Sequence, residues 1–272
     1  MPSSGSSTPN PFFSESSLYL KYPPFDKIKN EHYAPAFELG MKQHMQEIDS
    51  IALDQDTPSF ENTILAMEKA GSLLDRVSTV FYALTSAHTN DEMEKVRSEM
   101  APKLSAHSDK ILLNGALFQR VNTLYDNRMN LGLDNESVRL IEKYHTSFIR
   151  AGAKLNAEQK ERLKAINSEI AVLQTNFSQN VLKEVNALAI VVDSKEKLEG
   201  LSESAIESAS NEAKSRGMEG KYVIALKNTS GQPSLSSLKN RELRERIHTT
   251  SLSRGVVAGN LITERFLQTY LD

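Results

Sequence analysis

Cysteine is absent from all 272 residues, which excludes disulfides, thiolate catalysis and cysteine-bound zinc and leaves the compartment open. No apolar run reaches the roughly 18–20 residues needed to cross a bilayer as a helix. A strong charge of either sign is missing too. The net charge is −3, so there is no electrostatic footprint for nucleic acid. The basic run Arg241–Arg246 alternates with glutamate, as a solvated helix face does. There is no Gly-x-Ser-x-Gly elbow, no phosphate loop and no Gly-x-Gly-x-x-Gly. The six histidines are His32, His44, His88, His107, His145 and His248. No two lie four residues apart, so the zinc motif His-Glu-x-x-His does not occur in this sequence. Residues 1–10, MPSSGSSTPN, carry neither a basic n-region nor an apolar h-region. They read as a disordered leader.

What remains is ordinary for a globular protein: 39% hydrophobic and 25% charged residues. That length can bury a sizeable core as one large or two modest domains. Apolar residues recur at three to four positions through most of the chain, which predicts helices. The first runs from Pro35 to about Leu53, entered through Pro23 and Pro24, which forbid helix before Phe25. Tyr22, Phe25, Ile28 and Tyr33 of this arm require a surface to cover them. Asp54–Ser59 breaks the pattern, and Phe60 to about His88 resumes it. A helix capped at Asn90 or Asp91 reaches about Leu113, with a kink or break expected at Pro102. Ala116–Asn127 is a shorter helix. Asp134 caps another that carries Val138, Ile141, His145 and Phe148.

Asn156 and Gln159 form a capping box. They open the longest clean helix, whose stripe Leu163, Ile166, Ile170, Leu173, Phe177 and Val181 is read as core. With the preceding helix and Gly152 it forms an expected long antiparallel hairpin. Ala187–Val192 and Lys221–Leu226 are short and rich in β-branched residues, and predict two antiparallel strands. Ser202–Arg216 between them is a helix ended by Gly217. Leu235–Leu252 is a further helix. The fold class is therefore mainly α, a multi-helix domain with a small two-stranded β insertion at about 187–227, and no fixed-period repeat appears.

Two side-chain pairs suggest metal chemistry. Glu142-x-x-His145 and Glu245-x-x-His248 each place a carboxylate and an imidazole on one helical face, as in di-iron bundles. Such a site needs two further glutamates, which the sequence does not single out. The competing reading makes His145 a satisfied core histidine and leaves Glu245 and His248 on a solvated face.

Four stretches carry a family resemblance. PPFDKIKNEHYAPAF (23–37) resembles the opening of the zinc oligopeptidases: thimet oligopeptidase, oligopeptidase A and bacterial dipeptidyl carboxypeptidase. Pro58-Ser-Phe-Glu-Asn-Thr-Ile64 is similar to that family's Pro-Thr-Phe-Glu-Asn-Thr, and Leu201–Gly220 to its Leu-Pro-Glu segment. Asn240-Arg-Glu-Leu-Arg-Glu245 resembles its Asn-Arg-x-Leu-Arg-Glu. The four occur in the family's order across about Asn10 to Gly255, with the dipeptidyl carboxypeptidase branch the nearest. Read from the residues alone, Glu61-Asn62-Thr63 is a polar cap near a helix start.

The resemblance implies a helical N-terminal domain (11–255) that forms one wall of a channel admitting short peptides. It implies zinc in a part of the family's sequence that this chain never reaches. No catalytic, metal or substrate-binding residue can be carried over, and the chain alone is expected to be inactive. No cofactor is expected in it. The rival function is a non-catalytic helical module that binds peptides or a partner. From Val256 the resemblance stops. The tail 256–272 is expected to be truncated or frameshifted, with Val257, Leu261, Phe266, Leu267 and Tyr270 on one face driving self-association. Cytoplasmic location is expected, with a periplasmic one if a signal peptide has been lost.

Overall fold

The computed structural model describes residues 9–227 and 231–253. Most of the leader and the whole 256–272 tail, with its expected self-association, therefore lie outside the described residues. The chain divides into two compact units, Met1–Val172 and Leu173–Asp272. It is mainly helical, with one small antiparallel sheet among the described residues.

The first unit is built on α1 (Tyr33–Ala52). It packs against α3 (Ser72–Ala87), α4 (Asp91–Leu112) and α5 (Gly115–Asn127). The N-terminal half of α1 buries Tyr33, Ala36 and Phe37 against Val77, Phe81, Met93 and Met100. Its C-terminal end buries Ile48, Ile51 and Ala52 against Leu117, Val121 and Leu124 of α5 and Ile141 and Phe148 of α6 (Asn135–Arg150). A helix that is apolar at both ends of one stripe can thus serve two clusters at once.

The arm is held differently from expectation. Tyr33 is buried, whereas Tyr22 and Phe25 are exposed. The second anchor is Phe12, buried with its ring 5.4 Å from that of Tyr33. Arg76 donates to the Phe12 carbonyl from Nη2 at 2.9 Å. Asn10 Nδ2 donates to the His32 carbonyl at 2.8 Å.

Three helices differ from their sequence reading. The stretch expected as one helix from Phe60 is a π-helical turn (Phe60–Leu65), a short α2 (Ala66–Lys69) and α3. Gly71, at φ 77°, turns the chain between the last two. A left-handed backbone suits glycine, and a Cβ there would lie 2.9 Å from the His44 ring. Helix α4 contains Pro102 and continues to Leu112 without a break. The helix expected from Leu235 is a 3-10 turn (Pro233–Ser236) followed by α9 (Arg241–Leu252).

Asp134 and the Asn156–Gln159 box cap their helices as expected. The box opens α7 (Ala157–Ala187). The close helical partner of α6 is α5 rather than the following helix. Of the α7 stripe only Leu173 is buried; the other five residues are half-buried.

In the second unit β1 (Ile190–Val192) pairs antiparallel with β2 (Tyr222–Ile224), Val191 opposite Val223. Helix α8 (Glu203–Ser215) lies against β2. Ile190 and Val192 form a core with Leu198, Leu226, Leu238, and Leu243 and Ile247 of α9.

Candidate functional site

The four family-like stretches fall at helix starts and core contacts. Ser59 Oγ accepts from Asn62 N, and Asn62 Oδ1 accepts from Ser59 N, a reciprocal cap that satisfies two otherwise orphaned donors. The cap has a further partner that sequence reading missed. Arg120 of α5 is buried and donates from Nη2 to Asn62 Oδ1 at 2.9 Å and to Asp54 Oδ2 at 3.2 Å. Its Nη1 reaches the carbonyls of Asp54 at 2.7 Å and Asp56 at 3.1 Å. Its Nε donates to Thr63 Oγ1 at 3.3 Å, and a planar guanidinium can serve all five acceptors at once. The Pro58–Ile64 motif is therefore the rim of an arginine cradle that locks the loop between α1 and α2 to α5. Ser202 and Asn240 cap α8 and α9, accepting from Ala205 N and Leu243 N.

The paired Glu and His candidates are not brought together as a metal site. Glu142 bonds Arg128 at 3.2 Å and Arg139 at 3.0 Å. Arg139 and then Arg128 hold its carboxyl below the usual range. His145 stacks on Tyr125 at 3.8 Å and bonds Asn122 Oδ1 at 3.2 Å. Burial, with Lys154 beside it, lowers its pKa. It is a satisfied histidine, half-buried rather than fully in the core. Glu245 and His248 are exposed in the other unit. Among the described residues no group of three or more His, Asp or Glu side chains could hold a metal ion.

Two polar features of the first unit had no sequence signal beyond residue type. His44 Nδ1 and His107 Nε2 share a hydrogen bond of 3.0 Å between α1 and α4. Burial lowers the pKa of both, that of His107 to about 4, with His44 and Lys110 adding to the effect there. The neutral pair thus acts as a joint between the two helices. Asp109, two residues further along α4, accepts from Asn167 Nδ2 at 2.7 Å, and its other oxygen is buried without a side-chain or backbone partner. Burial raises its pKa, against the pull of Asn167 and Lys164.

The second unit carries an open groove of about 710 Å³ between α8 and β2, with Val223, Ile224 and Ala209 on its floor. Ser202, Ser208, Glu212 and Ser234 provide polar groups around it. Its lining thus mixes apolar side chains and hydroxyls with one carboxylate, Glu212, and one lysine, Lys227, a composition that suits a small polar-apolar ligand without selecting its charge.

No family model matches the chain. Among curated proteins it is 42% identical over 247 residues to "Dipeptidyl carboxypeptidase" of Escherichia coli (strain K12), which is 91% of this chain and 36% of that protein. It is 42% identical over 245 residues to the Salmonella typhimurium protein of the same name, 90% of this chain and 36% of that protein. Identity to "Oligopeptidase A" of Haemophilus influenzae is 27% over 237 residues, 87% of this chain and 34% of that protein. The resemblance carried by the four motifs is borne out. The chain spans about a third of the length of these relatives.

Proposed function

We infer, from this homology to dipeptidyl carboxypeptidases and oligopeptidases A, that the chain is the helical channel-wall portion of a zinc-dependent peptidase that cleaves short peptides. The observation that carries the reading is 42% identity along 91% of the chain, confined to 36% of the relative. Identity of that extent along nearly the whole chain supports a shared helical frame. Residues 11–255 would form this portion, with the β1–β2 insertion inside it.

The chemistry is assigned elsewhere in the enzyme. Bound zinc would supply an activated water and a polarised carbonyl. The histidines here do not fit that role, since His44 and His107 bond each other and His145 is stacked and bonded. This chain would instead bound the space that a peptide occupies and exclude folded proteins from it. Alone it should be inactive. A peptide-holding role without cleavage is the second reading, favoured by the groove between α8 and β2.

The test is an exchange. The matched third of the Escherichia coli protein is replaced by this chain, and cleavage of short peptides is assayed with and without chelator. Chelator-sensitive turnover is expected in the chimera and none in the isolated chain. A folded chimera without activity defeats the reading, and so does zinc-dependent turnover by the isolated chain.

A further inference from the structure

We propose that the tip of the N-terminal arm is a docking surface whose occupant is the rest of the peptidase, the two thirds of the relatives' length that this chain does not span. The proposal rests on the functional reading above. Phe12 and Tyr33 fix the arm at its two ends. Between them the chain projects Leu18, Tyr19, Leu20, Tyr22 and Phe25, exposed by 49%, 86%, 80%, 62% and 44%. Isolated apolar residues on a surface are ordinary, but several large ones in succession mark a contact surface.

The backbone that presents them is specified. Leu20 and Lys21 both hold a left-handed conformation, φ 53° and 58°, which residues with a side chain rarely adopt. Lys21 N donates to Leu18 O at 2.8 Å, and Lys21 Nζ bonds Glu15 at 2.7 Å. Pro23 and Pro24 stiffen the next turn, and the rings of Tyr22 and Phe25 meet edge to face at 5.7 Å. A preformed surface loses little freedom on contact.

Three arguments select the occupant. The remaining polypeptide would be covalently continuous with the arm, so a small patch suffices because docking is intramolecular. A second copy would need about 800 Å² from each partner. Five projecting side chains fall short of the roughly 20–30 residues a side that such an interface takes. A lipid surface would need a net basic face, whereas Lys21, Lys27 and Lys29 are balanced by Glu15, Asp26 and Glu31.

The chimera with the Escherichia coli protein tests this. Hydroxyl-radical labelling of Tyr19 and Tyr22 is compared between the free chain and the chimera. Labelling should slow roughly tenfold in the chimera, as at the water-excluded centre of an interface. The triple variant Tyr19→Ser, Leu20→Ser, Tyr22→Ser should lower the melting midpoint of the chimera and leave that of the free chain unchanged. Equal labelling in an active chimera overturns the docking surface and leaves the functional reading standing. A folded, inactive chimera overturns both. Protection of Tyr19 in the free chain at rising concentration, or on anionic vesicles, assigns the tip to a second copy or a membrane and overturns the proposal.

Discussion

Arg120 and the His44–His107 pair are the residues on which the first unit depends most locally. Arg120 is a buried cation whose acceptors are two carbonyls, one amide, one carboxylate and the Thr63 hydroxyl. Arg120→Ala leaves those acceptors short of a donor, and should cost about 3 kcal/mol in urea unfolding. Arg120→Lys should recover less than half, since an ammonium cannot span the same fork of acceptors. A loss below about 1 kcal/mol for the alanine variant would mean that water replaces the guanidinium fully.

The histidine pair predicts a pH dependence. Both pKa values are lowered in the fold, that of His107 to about 4. The unfolded chain therefore binds more protons between its ordinary histidine value, about 6.5, and about 4. The stabilisation is complete above that window and is lost as pH falls through it. Urea midpoints should drop from pH 7 to pH 4.5, and His107→Phe should flatten that slope. An unchanged slope in the variant refutes the assignment. Neither residue was legible as a pair from sequence, because 63 positions separate them and only packing of α1 on α4 joins them.

At the scale of elements, ends were legible and interruptions less so. Asp134, Asn156 and Ser202 cap helices because their side-chain oxygens reach the free N–H groups of the first turn. That chemistry is local and can be read directly. The single helix expected from Phe60 failed at Gly71, where the tertiary contact with His44 leaves no room for a Cβ. Gly71 N also donates to Glu47 at 2.6 Å, so α1 fixes where the break falls. The helix expected from Leu235 likewise starts only at Arg241, capped by Asn240. There Lys239 N is taken by the Glu199 carbonyl at 2.9 Å, and the backbone crosses beside Gly200. A Cβ on Gly200 would sit 2.0 Å from the Ser237 carbonyl oxygen, at φ 100°. Gly200→Ala should therefore cost more than 3 kcal/mol, well beyond the ~1 kcal/mol of an unobstructed left-handed glycine. Thermal unfolding followed in the second unit checks it. A loss near 1 kcal/mol would show that the crossing can relax.

For the whole molecule, the proposed function predicts catalytic inertness of the isolated chain. Purified chain given zinc should leave short peptides intact over hours, and should retain no stoichiometric zinc after dialysis. Tight binding of one zinc per chain, measured by atomic absorption, would contradict the assignment of the metal to another part of the polypeptide. Fold class and the family resemblance could be read before any coordinates: helical periodicity reports which residues face inward, and the four motifs keep a fixed order. The missing paired-histidine motif is a fact of the sequence alone.

Tertiary structure alone decided which contacts those patterns serve. The arm looked like a strap held by Tyr22, Phe25, Ile28 and Tyr33. Tyr33 and Ile28 do pack on the core, Phe12 took the pocket beside Tyr33, and Tyr22 and Phe25 stayed exposed. The pairing of α6 with α5, the cradle around Arg120 and the His44–His107 joint were equally hidden. The physical reason is common to all of them. Periodicity and capping are set by neighbours within one helical turn, whereas the choice of partner is set by shape and hydrogen bonding between side chains tens of residues apart.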